Sequence, residues 1–493
     1  MASALETPVV DAAIIGGGPA GATCGRLLAD WGYAVVIVHR ESRQPSLAET
    51  LPPSANRLFR LLEIDRRIED AGFFRTTGNT AWWGSEDPRA EFYPEPGYQV
   101  LRSDLDRLLL YAARQAGATV LSDSVQHIDV ADSALLRTRS GVGIHARFAL
   151  DCSGRAGLIA RAINLPADLP NGNRGLRIGQ TGYATVALSG IWTHAKPWPI
   201  ADQSHTLIES YQDGWAWSVP LSVSRRFVTT MLNMRETKTV RGDGLLATYR
   251  TELAKTRAFQ TMLRSSQLDR QPWACDASLY HAASYSGPSF LLIGDAGSSV
   301  DPLSSFGVKK AMASAWLGAV VVNTCLRTPR MAPVALDYFN DRERQVYADH
   351  LRQTAALFRE VASREPGPFW AKRAEAPVET EFCTERELAE ALDCIKRSPS
   401  IRLDRTGHIR EEQAARVRGR EIVLEKTLVA RGLPEFVRGV HLPKLIEISG
   451  QFNQVPDLYA AYNRTNQPVA LPNFLGALSM LLASRALENN VGR

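Results

Sequence analysis

Cysteine is scarce in this chain and poorly placed for pairing. Six occur in 493 residues, at 24, 152, 275, 325, 383 and 394, and no two have CxxC spacing. That excludes a zinc knuckle, a thioredoxin-like motif and a disulfide scaffold, and makes a reducing, cytoplasmic compartment the expectation. No apolar run approaches the ~20 residues of a membrane span. The segment Met1-Ala-Ser-Ala-Leu-Glu6 lacks a basic stretch followed by an apolar one, so no export signal is expected. Charge of one sign is thin as well. The net charge is +5 and is spread along the chain, which points neither to nucleic acid nor to a membrane surface as partner. There are no internal repeats and no low-complexity tracts, so solenoids and arrays are excluded. Lysine is missing from the first part of the chain, with none before Lys196.

What is there is an ordinary globular composition, 45% hydrophobic and 22% charged, long enough for two or three domains. Its most informative stretch is Asp11-Ala-Ala-Ile-Ile-Gly-Gly-Gly-Pro-Ala-Gly21. An apolar strand runs into Gly16-x-Gly18-x-x-Gly21, helix-forming residues follow from Ala22 to Asp30, and a second apolar run occupies Ala34–Val38. The glycines allow a tight turn, close approach of backbone to a diphosphate, and close packing of helix on strand. The free N–H groups at the helix start, around Ala20, then face that diphosphate. A dinucleotide site is expected. The second strand ends in His39-Arg40-Glu41 rather than at an acidic residue, so His39 and Arg40 become the candidate ribose-side contacts.

The pattern predicts helices over 55–70, 101–117 and 308–325, and strand-like pieces in 80–100. It predicts buried strands ending at Asp151 and Ile293, and a strand-rich stretch over 175–235. Beyond residue 332 it turns mostly helical, with a hairpin near 420–448. The expected fold is α/β. A discontinuous Rossmann-like nucleotide domain (1–75, 101–174 and 285–334) is interleaved with a β-sheet substrate domain (76–100 and 175–284). A C-terminal, mostly helical domain over 335–493 follows, a candidate docking surface.

A second motif, Ile293-Gly-Asp-Ala-Gly-Ser-Ser-Val-Asp-Pro302-Leu-Ser-Ser-Phe-Gly307-Val-Lys-Lys310, places Asp295 at a strand end and a Pro/Gly loop before a helix. Asp295 can accept hydrogen bonds from sugar-alcohol hydroxyls. The helix start after Gly307, with Lys309 and Lys310, suits the negative charge of a reduced flavin ring.

With these motifs the chain resembles the FAD-dependent aromatic monooxygenase superfamily, in the branch that contains the tryptophan halogenases. The resemblance is carried by Gly16-x-Gly18-x-x-Gly21, Arg102 in Val-Leu-Arg-Ser-Asp-Leu-Asp106, Asp151-Cys-Ser-Gly-Arg155, Gly214-Trp-Ala-Trp-Ser-Val-Pro220, and Gly294-Asp295 with Pro302. It implies a glutathione-reductase-type FAD domain. It also implies that Arg102 contacts FAD, that Asp295 holds the ribityl chain, and that Pro302, Gly307, Val308 and Lys309 border the ring. It implies hydroxylation of an electron-rich aromatic ring through a C4a-hydroperoxyflavin, with molecular oxygen and NAD(P)H or a reduced-flavin donor. No second Gly-rich nucleotide unit is visible, so a separate flavin reductase is a candidate partner.

The likeness of Asp301-Pro-Leu-Ser-Ser-Phe-Gly-Val-Lys-Lys310 to flavoproteins that mature tryptophylquinone enzymes implies a further partner, a polypeptide bearing the target tryptophan. Halogenation of an indole or phenol is the alternative. It is disfavoured because related halogenases use a lysine soon after the Glu49-Thr-Leu-Pro52 segment and small residues beside the flavin, where this chain has Phe306. A flavin-dependent reductase and a non-enzymatic escort protein remain as further readings.

Single residues divide between packing and function. Trp215 and Trp217 share one strand face and either fill the core or wall the substrate cavity. One of Trp82 and Trp83 points outward, and Trp83 joins Glu49 and Phe306 as a substrate-side candidate. His194, His205 and Glu209 read as satisfied polar residues, and Arg342, Glu343 and Arg344 as a solvated helix face. No catalytic acid or base and no metal ligand is assigned.

Overall fold

The strands and helices of the glycine-rich unit are β1 (Val9–Ile15), α1 (Pro19–Asp30), β2 (Val35–His39), α2 (Arg102–Gln115), β3 (Thr119–Ser122), β4 (Gly143–Asp151), β5 (Phe290–Leu292), α3 (Gly307–Arg327) and α4 (Ala332–Ala362). They belong to a computed structural model that describes residues 9–41, 45–163, 175–233, 244–375, 383–398, 400–466 and 468–490. The amino-terminal segment read for an export signal lies outside the described residues. The parallel strands run in the order β5-β4-β1-β2-β3, and Ser286–Gly287 and an antiparallel pair, Val125–Val130 with Ala134–Thr138, extend the sheet. This is a Rossmann-like α/β arrangement.

The register aligns strand ends. Ile15 and Leu292 both lie opposite Asp151, so the turns after β1, β4 and β5 meet at one edge. Side chains buried on both faces explain why β1 and β2 read as continuous apolar runs. Helix α1 lies close on the sheet because Gly25 has no side chain; a Cβ there would come 2.6 Å from Ile37 Cδ1.

A second sheet has nine strands. Its main path runs Gln267–Leu268, Thr185–Thr193, Arg225–Asn233, Gly214–Ser222, Thr206–Tyr211, Phe74–Trp82, Arg89–Leu101 and Ala48–Leu51, with Trp273–Asp276 beside Thr185–Thr193. Alternation of side chains gives it two distinct faces. One face carries Ala187, Ile191, Trp215, Trp217, Phe227 and Met231, packed against Tyr347, Leu351 and Phe358 of α4 and against Phe369 and Trp370. The other carries Val186, Leu188, Trp192, Leu207, Tyr211 and Val228, packed against the helices Gly244–Ala254 and Ala258–Leu263. Glu209 fixes the second of these helices, because its buried carboxylate accepts the backbone N–H groups of Arg257, Ala258 and Phe259 at 2.5–3.1 Å.

The chain divides into two compact units, Met1–Ala376 and Pro377–Arg493. The second unit has its own core, with Leu445, Ile446, Leu458, Phe474, Leu478 and Leu481 buried together. It contains the helices Glu385–Arg397, Leu442–Ser449, Val455–Thr465 and Leu471–Ala483, and a hairpin of Ile409–Arg418 with Glu421–Ala430.

Three expectations need correction. The helix expected over 55–70 is two short helices, Asn56–Leu61 and Asp65–Asp70, separated by Glu63 in the left-handed region at φ 52°. Ala48–Leu51 joins the second sheet rather than the nucleotide domain, because its full ladder is with Arg89–Leu101. The C-terminal unit starts about forty residues later than the expected 335, because α4 and Pro368–Ala374 bury their apolar faces in the core of the first unit.

Trp83 shows how that core is locked. Its indole N–H donates to the Leu357 carbonyl at 2.9 Å, and its ring meets Trp215, Phe358 and Trp370 at 5.5–6.3 Å. Trp83→Ala should lower unfolding stability by about 3–5 kcal/mol, measured by chemical denaturation of the full chain. A loss under about 1 kcal/mol would contradict the packing described.

Candidate functional site

The site grows from the aligned strand ends. Gly16 donates its N–H to Val38 O at 2.9 Å, and the Cys152 N–H returns to Ile15 O at 2.9 Å. Gly16 adopts φ +104°, and a Cβ on it would sit 2.5 Å from Cys152 O. A Cβ on Gly21 would fall 1.8 Å from Gly16 O. Both positions require glycine. Gly18 is different, since the nearest atoms to a Cβ there are Arg102 Nη2 and Asp106 Oδ2 at 3.7 Å. Gly18 is the N-cap of α1. No side chain caps this helix, and no acidic residue lies in its first turn, where Pro19 and Ala20 stand. The positive partial charge of its first N–H groups is therefore compensated by no side chain.

His39 lies over this loop, and its Nδ1 accepts the Gly17 N–H at 3.2 Å. Burial lowers its pKa against the pull of Asp106 and Glu41, so the neutral ring that can accept this bond is favoured. Arg40 follows, exposed. Arg102 opens α2 and is held from two sides. Its Nε and Nη2 reach Asp106 at 3.1 and 3.4 Å, and its Nη1 lies 3.5 Å from Glu49 Oε1. Burial raises the pKa of Glu49 and Asp106, while Arg102 opposes both shifts. The Asp295 charge also raises that of Glu49. Glu49, the Arg102–Asp106 pair of α2 and Asp295, from three distant stretches of chain, form one electrostatic cluster. Asp295 offers its carboxylate to this space, with a 37% exposed side chain and an ion pair of 3.8 Å to Lys310.

The loop after β5 is braced by residues that sequence reasoning did not find. The Arg177 guanidinium donates to Gly154 O, Arg155 O, Asp295 O and Ala296 O at 2.6–3.1 Å, and so ties the β4 turn to the β5 turn. Tyr280 adds a hydrogen bond from its hydroxyl to Asp295 O at 2.6 Å, and its ring lies under Arg177. No local signal marks Arg177, which is separated from Asp295 by 118 residues.

Two lysine and glutamate expectations are overturned here. Lys310 does not point toward the helix tip. It is buried, and its ammonium donates to Gly294 O at 3.1 Å and to Ser298 O, because the turn presents two inward carbonyls. Glu343 is not part of a solvated face. It is 3% exposed, its pKa raised by burial and drawn back by Lys310, and its Oε2 has no hydrogen-bond partner among the described residues. Arg344 is exposed and pairs with Asp341 at 3.1 Å.

Lys309 takes the outward position, donating to Ser54 Oγ at 3.0 Å and lying 4.8 Å over the Phe306 ring. The Phe306 ring lies 5.0 Å from that of His350 of α4, tilted by 53°, and the His350 Nδ1 is buried without a partner among the described residues. Burial and the two lysines push His350 down to about 4. Gly307 and Gly154 stand in open space, with nothing within 4 Å of a Cβ on either. Val308 is buried behind the loop, and Pro302 opens its first turn.

Of the tryptophans, Trp83 is corrected from substrate contact to core, since its ring is enclosed and its N–H is used; Trp82 is the outward one of the pair. Trp215 is 1% exposed. Trp217 lies beside it at 6.3 Å and keeps a buried indole N–H without a partner among the described residues. His205 is bonded to Thr80 at 2.9 Å, His194 is half-buried and bonded to the Lys196 carbonyl, and Glu209 is a helix cap.

The donor set fits a flavin dinucleotide: an uncapped helix start at Gly18 beside the Arg102 guanidinium, an outward carboxylate at Asp295, and open glycines at 154 and 307. Comparison with known proteins decides the class. Residues 90–414 match the family described as tryptophan halogenase. The chain belongs to that family. Membership makes this tryptophan halogenase family protein an FAD-dependent oxidoreductase. It is 28% identical over 376 residues to a tryptophan 2-halogenase of Chondromyces crocatus, covering 72% of this chain and 69% of that protein. In fold it is similar to the flavin-dependent halogenase CmlS, with a TM-score of 0.78 and 21% identity over 98% of this chain and 96% of that one. It is also similar to the peptidyl tryptophan dihydroxylase QhpG, with a TM-score of 0.65 and 21% identity over 97% and 99%. No helix among the described residues is long and apolar enough to cross a membrane.

Asp301, which caps the loop turn by accepting Leu303 N–H at 3.0 Å, gives a pH test. Burial pushes its carboxyl up to about 6. A folded-state pKa above the unfolded value of ~3.9 means that the native protein holds a proton the unfolded chain has released. Stability should therefore fall, by on the order of 2 kcal/mol, as pH rises from about 4 to about 6. Asp301→Asn should flatten this decline in denaturant titrations across that range. An unchanged pH profile would refute the assignment.

Proposed function

We propose that this protein is an FAD-dependent monooxygenase that hydroxylates an electron-rich aromatic ring, with a tryptophan side chain of a partner polypeptide as substrate. The observation that carries the reading is Phe306. Its ring stands immediately before Gly307, backed by His350 and covered by the Lys309 ammonium. A bulky apolar side chain thus occupies a position where halide binding calls for a small one. It also favours exclusion of water from the reacting face.

Bound FAD supplies the oxygen chemistry. The chain's own residues hold and shield it. Gly16, Gly18, Ala20 and Gly21 place the α1 N–H groups against the diphosphate. His39, through the ring nitrogen that Gly17 does not use, and Arg40 serve the adenosine side. Arg102, fixed by Glu49 and Asp106, keeps a cation beside the cofactor. Asp295 accepts the ribityl hydroxyls, and Pro302, Gly307, Val308 and Lys309 border the ring. Trp217, whose N–H has no partner among the described residues, and Phe306 wall the substrate space. The fold shared with a peptidyl tryptophan dihydroxylase runs along 97% of this chain, which motivates the polypeptide substrate and a docking role for the C-terminal unit. Reducing equivalents come from NAD(P)H or a flavin reductase. The six free cysteines suit a reducing, cytoplasmic setting.

Halogenation is the second reading, favoured by one observation besides the family match. Lys309 is half-buried, and burial together with Arg57 lowers its pKa, so an amine of reduced basicity stands at the loop. Mass spectrometry separates the two readings. With reductant, oxygen, halide and a tryptophan-bearing peptide, the product should gain one or two oxygen atoms, and incorporated halogen would overturn hydroxylation. Lys309→Met should retain most of the oxygen insertion, whereas loss of all product together with halogenation by the parent would favour the second reading. Asp295→Ala should raise the Kd for FAD by about tenfold, read as a lower flavin-to-protein ratio at limiting FAD, the effect of losing a charged hydrogen-bond acceptor worth about 1.5 kcal/mol. An unchanged ratio would show that Asp295 does not hold the ribityl chain.

A further inference from the structure

A cavity of about 860 Å³ lies on the face of the second sheet opposite the tryptophan cluster that faces α4. Its floor is formed by Thr80, Trp82, Leu207 and Tyr211. The parallel ladder sets this direction. Leu207 pairs with Thr80 and Glu209 with Trp82, while the intervening Ala81 and Ile208 pack into the opposite, α4-side core. The cavity is therefore separated from the proposed flavin site by the thickness of the sheet, and it owes nothing to that site's chemistry.

Its walls come from four segments: the turn at Ser85–Pro88, the loop at Pro199–Asp202, the start of the helix Ala258–Leu263, and Glu365-Pro366. Apolar surface dominates the base, with Ile200 and Pro366 beside Trp82 and Leu207. The charges around it do not balance. Glu86, Asp202, Glu209 and Glu365 line the cavity against Lys255 and Arg257.

The two cations are already engaged. Lys255 donates to Asp213 at 3.1 Å and to Glu252 at 2.9 Å, and Arg257 is paired with Glu86. Glu209 is saturated by three backbone N–H groups, and Asp202 accepts the Ser204 N–H and hydroxyl, each at 2.8 Å. Glu365 is left, a half-buried carboxylate with no hydrogen bond or ion pair among the described residues, its pKa raised by burial against the more distant Arg257. The Trp82 ring, half-buried on the same wall, offers a π-face to a cation.

We propose that this cavity is a second binding site, for a small amine with an apolar or aromatic body, its ammonium paired with Glu365 and its body against Trp82, Leu207 and Ile200. The volume falls in the range of small-molecule sites, and an apolar lining with few placed polar groups is how such sites gain orientation. An anion of the same shape meets an excess of carboxylates, and a neutral analogue leaves Glu365 unpaired.

The test uses the FAD-loaded full chain and three matched probes, phenylbutylamine, phenylbutanol and phenylbutyrate, titrated by calorimetry. The amine should bind at least tenfold more tightly than the alcohol, and phenylbutyrate should not bind. Glu365→Gln, which conserves shape, should remove that preference, and Trp82→Ala should weaken the amine severalfold. Both variants should keep the parental flavin absorbance, which establishes that they are folded. Equal binding of amine and alcohol, tighter binding of phenylbutyrate, no binding of the amine, or an amine affinity unchanged in Glu365→Gln would each overturn the proposal. Flavin content and product mass are read independently, so a failure here leaves the monooxygenase reading untouched, and the reverse also holds.

Discussion

Everything at the site depends on the parallel pairing of β4 with β1 on one side and β5 on the other. That ladder puts three backbone turns, at Gly16, Gly154 and Gly294, against one another at the carboxyl ends of the strands. The approach is close enough that a single Cβ on Gly16 would strike the Cys152 carbonyl at 2.5 Å. Glycine is needed there for contact between two turns as much as for a ligand. Ligands of open parallel sheets bind outside such strand ends, and here the turns converge at one edge.

Turns held only by their own backbone would be mobile, and the chain fastens these with two cations, the half-buried Arg177 and the buried Lys310. Arg177 spans four carbonyls from the outside, and Lys310 holds Gly294 O and Ser298 O from within. A desolvated cation is tolerated because carbonyl dipoles and, for Lys310, the nearby Glu343 replace water. The result is a rigid back to the loop. The variable parts, Phe306, Lys309 and His350, stand in front of it, and their chemistry can change without disturbing the turns behind.

The second sheet serves two purposes with its two faces. Toward α4 it offers tryptophans that pack edge-on against one another, a dense wall in which nearly every ring is enclosed. Away from α4 it is covered by short helices that leave part of the interior strands Phe74–Trp82 and Thr206–Tyr211 open, and Glu209 anchors one of those helices. The same strand therefore contributes Ala81 to an inner wall and Thr80 and Trp82 to an outer cavity.

Much of the architecture was legible in the sequence. The strand, turn and helix at 9–30, the buried strands ending at Asp151 and Ile293, and the helix after Gly307 all declared themselves through apolar periodicity and glycine placement, signals that act over a few residues. The same locality explains the misses. Glu63 breaks the expected helix over 55–70 because a left-handed residue there carries no composition mark. Which of Trp82 and Trp83 faces the core depends on the register of Phe74–Trp82 with Thr206–Tyr211, partners about 125 residues apart. Arg177, and the inward turn of Lys310 rather than Lys309, follow from where two distant loops present their carbonyls. The sequence alone determined the class of cofactor cradle, because a backbone needing φ > 0 and an uncapped helix start is written in adjacent residues. Only the tertiary structure decided which charges are neutralised, which rings are enclosed and which carboxylate is left unpaired, since those depend on desolvation and contact between segments that chain order does not bring together.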